Sequence, residues 1–208
     1  MKILVACEES QTVTKELRKL NHDAYSCDIE PCSGGRPEWH IRRDAIKEAY
    51  TGKYDMMIAH PECTYLTVTG NKWFKPEYRE RFPTRIEDRK KAIGFFMALY
   101  DAPIERIAVE NPVGIMSTTF RKPDQYVHPY HFGDPHSKKT GFWLRNLPKL
   151  VPTDVVEPDM YVYKDGRKDP MWHVESMKLP AKERSRVRSK TFPGLAKAMA
   201  VQWAGDNN

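Results

Sequence analysis

The chain has little cysteine, no long apolar run and no glycine-rich loop near its N-terminus, and each absence narrows what it can be. Its 208 residues hold four cysteines, Cys7, Cys27, Cys32 and Cys63, all in the first third and none in a CxxC pair. That is too few for a disulfide scaffold. Counting His22 and His40 beside Cys27 and Cys32 still matches no common zinc spacing. His128, His131 and His136 cluster in HPYHFGDPH, a proline- and glycine-bearing loop rather than a helical metal motif, so no metal is expected. No apolar stretch nears the roughly 20 residues that cross a bilayer. The opening MKILVACEES meets Glu8 and Glu9 after a short apolar run and has no small-residue cleavage site. It reads as a first strand of a cytoplasmic protein with no membrane contact.

What is present is charge of one sign in two places. The net charge is +6, which favours an anionic partner without identifying it. Lys72, Lys75, Arg79, Arg81, Arg85, Arg89, Lys90 and Lys91 form one basic stretch, interleaved with Trp73, Phe74, Tyr78 and Phe82. Lys178, Lys182, Arg184, Arg186, Arg188 and Lys190 form another. Either run alone is an ordinary solvated face. Two runs with aromatics between the charges suit phosphate contact and base stacking.

The hydrophobic pattern predicts alternating strands and helices. Lys2–Ala6, Ala24–Asp28, Asp55–Ala59 and Ile107–Glu110 read as buried strands, and Gly141–Leu144 as a later one. Helices are expected over Gln11–Leu20 (Val13, Leu17 and Leu20 on one face), Asp44–Tyr50, from Thr84, and over Pro193–Trp203. Thr84 with Glu87 reads as a capping box, and Ile86, Ile93, Phe96, Met97 and Tyr100 as that helix's apolar face. Residues 61–83 read as a long functional loop. Trp143, Trp172 and Trp203 read as core or interface. The expectation is one domain over 1–208, an α/β fold with a mostly parallel sheet flanked by helices, and 148–180 as a small lid or insert.

In such sheets ligands bind at the carboxyl ends of the strands. Those ends carry Cys7-Glu8-Glu9, Asp28, His60-Pro61-Glu62-Cys63 and Glu110-Asn111-Pro112. A thiolate is a strong nucleophile when its pKa is lowered, and Cys63 lies on a proline-held loop. A carboxylic acid on the neighbouring strand suits one chemistry in particular. The thiolate adds to C6 of a pyrimidine, and the acid at N3 makes C5 nucleophilic. The plainer readings are a half-buried inert thiol and a strand-end carboxylate bonded to its loop.

The ordered set resembles the DNA (cytosine-5) methyltransferases, especially the short versions of phages and prophages. The resemblance covers nearly the whole chain apart from about 152–182 and implies a Rossmann-like methyltransferase fold in a phage-encoded protein of the host cytoplasm. It implies Cys63 as nucleophile and Glu110 with Asn111 as binders of the target cytosine. S-Adenosylmethionine would be held by Ala6, Cys7, Glu8, Asp28 (ribose), Asp44 (adenine, before the third strand), His60 and Ser189. Ser189 lies in RSKTFPGLAKAMA, which resembles the family's last motif. Lys138 and Lys139 stand where that family has an arginine-rich motif, and Lys72 and Arg79 would meet DNA.

Four departures stand out. ACEESQ has no glycine where the family's first loop is glycine-rich, so Glu8 would either bind the donor's amino group or mark a different donor such as methylene-folate. Pro-Pro-Cys-Gln is replaced by Pro61-Glu62-Cys63-Thr64; Glu62 would raise the thiol pKa, and His60 as imidazolium would lower it. Lysine does not reproduce a bidentate guanidinium. No large recognition domain is present, which leaves open a nucleotide substrate or a non-catalytic DNA- or host-binding paralogue.

Overall fold

The computed structural model describes residues 1–205. In chain order the elements are β1 (Lys2–Ala6), α1 (Thr12–Lys19), β2 (Asp23–Asp28), β3 (His40–Arg42), α2 (Ala45–Ala49) and β4 (Met56–Ala59). There follow α3 (Arg85–Tyr100), β5 (Arg106–Pro112), α4 (Met116–Thr119), β6 (Gln125–Val127), β7 (Thr140–Arg145), β8 (Met160–Val162) and β9 (Lys168–Pro170). Three helices close the chain, α5 (Met171–Met177), α6 (Ala181–Ser189) and α7 (Pro193–Ala204).

Seven strands form one sheet in the order β3-β2-β1-β4-β5-β7-β6. Strands β1 to β5 are parallel, and β7 runs antiparallel between β5 and β6. The chain therefore winds outward from β1 in one direction and from β4 in the other, which gives a Rossmann-like α/β fold. The point where the winding reverses opens a crevice at the carboxyl ends of these two strands.

Period-two alternation explains why the inner strands are apolar throughout. Ile3, Val5, Met56 and Ile58 face α1 and α7, while Leu4, Ala6, Met57 and Ala59 face α2 and α3. Two aromatic contacts extend these layers onto β7. Trp143 meets Phe96 edge-on at 5.1 Å, and Phe142 meets Trp203 at 5.4 Å. Trp143 and Trp203 are thus core residues; Trp172 is half-buried and donates to the Ser137 carbonyl.

Some expectations need correction. His40–Arg42 is the third strand, so DMMIA supplies the fourth. Asp44 lies between these two strands and so precedes DMMIA as expected. Thr84 does not cap α3 with its side chain; its hydroxyl donates to Asp88 at 2.9 Å. Ile86 is 52% exposed and lies off the apolar face. The loop over 61–83 contains only short 3-10 turns, and 148–180 ends in the β8–β9 hairpin and α5.

Candidate active site

Five residues, His60, Cys63, Glu110, Asn111 and Lys138, meet around the ends of β4 and β5. Ala59 pairs with Val109, so the next residues, His60 and Glu110, leave the sheet side by side. Both point to the α1/α7 face, two residues on from Ile58 and Ala108. His60 Nδ1 lies 3.4 Å from Glu110 Oε2, with the side chains 7% and 16% exposed. His60 Nε2 is buried and has no partner among the described residues.

Asn111 points to the opposite face and is 1% exposed. Its Nδ2 donates to the Pro61 carbonyl at 3.2 Å, which ties β5 to the loop that carries Cys63. That loop is fastened twice more. The Cys63 carbonyl accepts from the Leu66 and Thr67 amides, and the Ile115 amide donates to the Leu66 carbonyl at 2.8 Å. The approach at Leu66 is so close that a Cβ at Gly114 would sit 2.0 Å from its oxygen. The glycine of ENPVG thus positions the cysteine loop.

Cys63 is half-buried, and its thiol is pushed up to about 11 by burial, then by the Glu110 and Glu62 charges. Lys138 acts in the opposite direction. Burial would also raise the Glu110 carboxyl, but the His60 hydrogen bond and the Lys138 charge outweigh it and hold Glu110 below the usual carboxylate range. The resting site therefore contains a thiol, a carboxylate and an ammonium. Lys138 Nζ donates to the Arg188 carbonyl at 3.1 Å, so the end of α6 holds it in place.

Two cavities meet at His60. The outer one, about 740 Å³, lies over the ends of β1 and β2 and is lined by Cys7, Glu8, Asp28, Cys32, His60, Glu62 and Ser189, among others. Lys182, Arg186 and Lys190 roof it, with Arg186 Nε 3.8 Å from Glu9. The inner one is nearly closed, at about 10 Å³, between His60, Glu110, Lys138, Thr140, Thr191 and Phe192.

The first-strand loop meets the demand for tight backbone without glycine. Cys7 and Gln11 both lie in the left-handed region, at φ 60° and 59°. Gln11 donates to Ser26 and to the Arg36 carbonyl, and a Cβ at Gly34 would collide with it. Glu8 is fully engaged. Its carboxylate accepts from the Val13 and Thr14 amides at 2.6 and 3.2 Å and from the Thr14 hydroxyl at 2.7 Å. It thus caps α1 from inside the cleft, although burial raises its pKa. Burial likewise raises Asp28 and pushes Cys7 well up.

No family model matches the chain, and no curated protein matches it. Among solved structures it is similar to a prophage-encoded E. coli protein provisionally named a DNA modification methyltransferase. The identity is 15% and the TM-score 0.43, over 87% of this chain and 56% of that one. The chain thus spans little more than half the length of that structure. So distant a likeness carries no chemistry across.

The other expected residues fall in several places. Cys63, Glu110, Asn111, His60 and Lys138 come together, and Cys7, Glu8, Asp28, His60 and Ser189 share the outer cleft. Ala6 ends β1 beneath it, its carbonyl accepting from the His60 amide. Asp44 instead caps α2, accepting from the Lys47 amide at 2.9 Å. Lys139 is exposed, with Nζ 4.6 Å from the Tyr126 ring centre. Lys72 and Arg79 are exposed on the loop beyond Cys63. Sequence reasoning missed Thr191 and Phe192 as inner walls, although RSKTFPG contains both. Lys182 and Arg186 were read only as general charge, because α6 has no apolar stripe to reveal it as a roof. Among the described residues no group of three or more His, Cys, Asp or Glu is arranged to hold a metal ion. No described helix is long and apolar enough to cross a membrane.

Proposed function

We propose that the chain is a methyltransferase that adds a one-carbon group to C5 of a pyrimidine through a covalent cysteine adduct. Cytosine in DNA is the substrate and S-adenosylmethionine the donor. The observation that carries this reading is the convergence of Cys63, Glu110 and Lys138 beside a cleft of about 740 Å³. C5 of cytosine is a poor nucleophile until a thiolate adds at C6 and N3 takes a proton. Cys63 Sγ forms the bond to C6. Glu110, through the oxygen not facing His60, takes the Cys63 thiol proton as the C6–S bond forms and hands it to N3, and the Lys138 ammonium stabilises the thiolate as it attacks.

Bound S-adenosylmethionine supplies an electrophilic methyl group. The residues present fit it. Asp28, at the end of β2, suits ribose hydroxyls, and the left-handed turn at Cys7 brings backbone close to the ligand. Glu8 serves the donor only indirectly, by fixing α1. Cys7 and Ser189 line the same wall, and Ala6 supports it from the sheet. The inner pocket is too small for a base as it stands, so Thr191 and Phe192 must yield when one enters. In a duplex the base must also leave the stack, with Lys72, Arg79 and Lys139 on the phosphates.

A second reading is favoured by the roof. Lys182, Arg186 and Lys190 suit a donor with several carboxylates, and Glu8 is not free for a donor's ammonium. Methylene-folate, or a nucleotide rather than DNA, fits that arrangement.

Purified protein is incubated with random-sequence duplex DNA and labelled S-adenosylmethionine, and nucleosides are analysed by mass spectrometry. The expected product is 5-methylcytosine, and DNA carrying 5-fluorocytosine should yield an adduct that Cys63→Ser abolishes. Transfer only with methylene-folate or dCMP selects the second reading. DNA binding with no adduct under any donor would overturn covalent chemistry altogether.

A further inference from the structure

We propose that His60 is the base that removes the C5 proton and so releases the product from Cys63. The inference rests on the proposed reaction and assigns a step that neither Cys63 nor Glu110 accounts for. Three observations carry it. His60 follows β4 directly, and its backbone amide continues the ladder by donating to the Ala6 carbonyl at 3.0 Å, so the ring is held by the rigid sheet. The ring borders both cavities, the donor-sized cleft and the closed pocket of Glu110 and Lys138. Its Nδ1 faces Glu110 Oε2 at 3.4 Å, while Nε2 is buried with no partner among the described residues.

An orphaned imidazole nitrogen in a dry site is costly unless a ligand or a proton meets it. The carboxylate on Nδ1 fixes the tautomer. Nδ1–H donates to Glu110, and Nε2 keeps an unpartnered lone pair on a ring that borders both cavities. This is the arrangement of a base oriented by a carboxylate behind it.

The step balances. After thiolate addition and transfer, C5 bears both the new methyl group and its original hydrogen, and C6 bears Cys63 sulfur. Nε2 takes the C5 proton, the C–H electron pair forms the C5–C6 double bond, and the C6–S bond breaks to return the thiolate. The N3 proton returns through Glu110 to the Cys63 thiolate, which restores the resting thiol and leaves Glu110 ionised. The imidazolium is held by the Glu110 carboxylate and passes its proton to water in the outer cleft. The charged groups facing the ring are Glu110 from β5, Glu8 from the loop after β1, and Lys138 from the loop before β7.

The experiment compares wild type with His60→Gln and His60→Ala on ordinary cytosine duplex with S-adenosylmethionine, scoring denaturation-resistant protein–DNA adduct and released 5-methylcytosine. Thermal melting checks that each variant is folded. Both variants should accumulate adduct that wild type resolves, with turnover down about 10²- to 10⁴-fold. Added imidazole should restore release in His60→Ala but not in His60→Gln, whose side chain fills the space. Trapping on 5-fluorocytosine DNA should persist in both. Wild-type turnover in His60→Gln overturns the inference alone, as does loss of 5-fluorocytosine trapping in that variant, which would place His60 before addition. A wild type that neither methylates nor traps overturns the reaction itself, and this step with it.

Discussion

At neutral pH a thiol pushed up to about 11 is almost wholly protonated, with roughly one molecule in ten thousand ionised. Cys63 is therefore quiet at rest, and in the proposed reaction the groups around it would decide when it attacks. Burial is the largest cause, and the Glu110 anion the next. In the proposed reaction, a pyrimidine whose N3 meets Glu110 would engage that anion directly and weaken its hold on the thiol. Alkylation by iodoacetamide measures the resting state. The rate at Cys63 should climb about tenfold per pH unit from pH 7 to about 10 and level off near 11. Glu110→Gln removes a charge that disfavours thiolate, so alkylation at pH 8 should quicken. Lys138→Ala removes one that favours it, so alkylation should slow. A reversed order, read by mass spectrometry of the Cys63 peptide, would mean that these charges do not govern the thiol. His60 and Glu110 were legible in the sequence as strand-end residues. Their pairing was not, because it depends on β4 lying in register with β5.

At the scale of elements, α1 shows how the site and the fold share residues. Its first-turn amides, Val13 and Thr14, donate to the Glu8 carboxylate instead of to a residue at the cap position, because Gln11 is left-handed and aimed at Ser26 and Arg36. Glu8→Ala leaves those amides and the Thr14 hydroxyl unpaired in a buried place. The expected loss is about 2–3 kcal/mol, read by urea unfolding. Glu8→Gln keeps one acceptor and should cost less. An unchanged midpoint for Glu8→Ala would show that water replaces the cap. The strands most easily read in the sequence were those buried on both faces, such as β1 and β4, because burial demands unbroken apolar residues. β3 and β6 escaped, being three residues long at the sheet margins and partly polar. α6 escaped because no residue in it is buried, so it carries no helical period. The capping box at Thr84 failed for a local reason: Asp88 takes its hydroxyl.

Across the whole molecule, a net charge of +6 is not spread as free cation, because part of the first basic run is used internally. Arg89 lies 3.3 Å from the Phe74 ring centre and donates to the Tyr65 carbonyl and to Asn71. Arg85 stacks near Tyr65, Phe74 and Phe82. These two arginines hold the loop beyond Cys63 in shape, which costs about 0.5–2 kcal/mol to lose per cation–π contact. Lys72 and Arg79 on the same loop are exposed to solvent, although Lys72 Nζ also lies 4.6 Å from the Trp73 ring centre. The two classes separate in a salt titration. Each phosphate contact contributes about 0.9 to the slope of log K against log salt on duplex DNA. Lys72→Ala and Arg79→Ala should each lower that slope by about one, and Arg79→Ala should leave the melting temperature unchanged. Arg89→Ala should instead lower the melting temperature and slow the proposed methylation by loosening the loop beyond Cys63, with little change in slope. If Arg89→Ala lowers the slope as much as Arg79→Ala, the stack opens on DNA and the loop is a binding element rather than a brace.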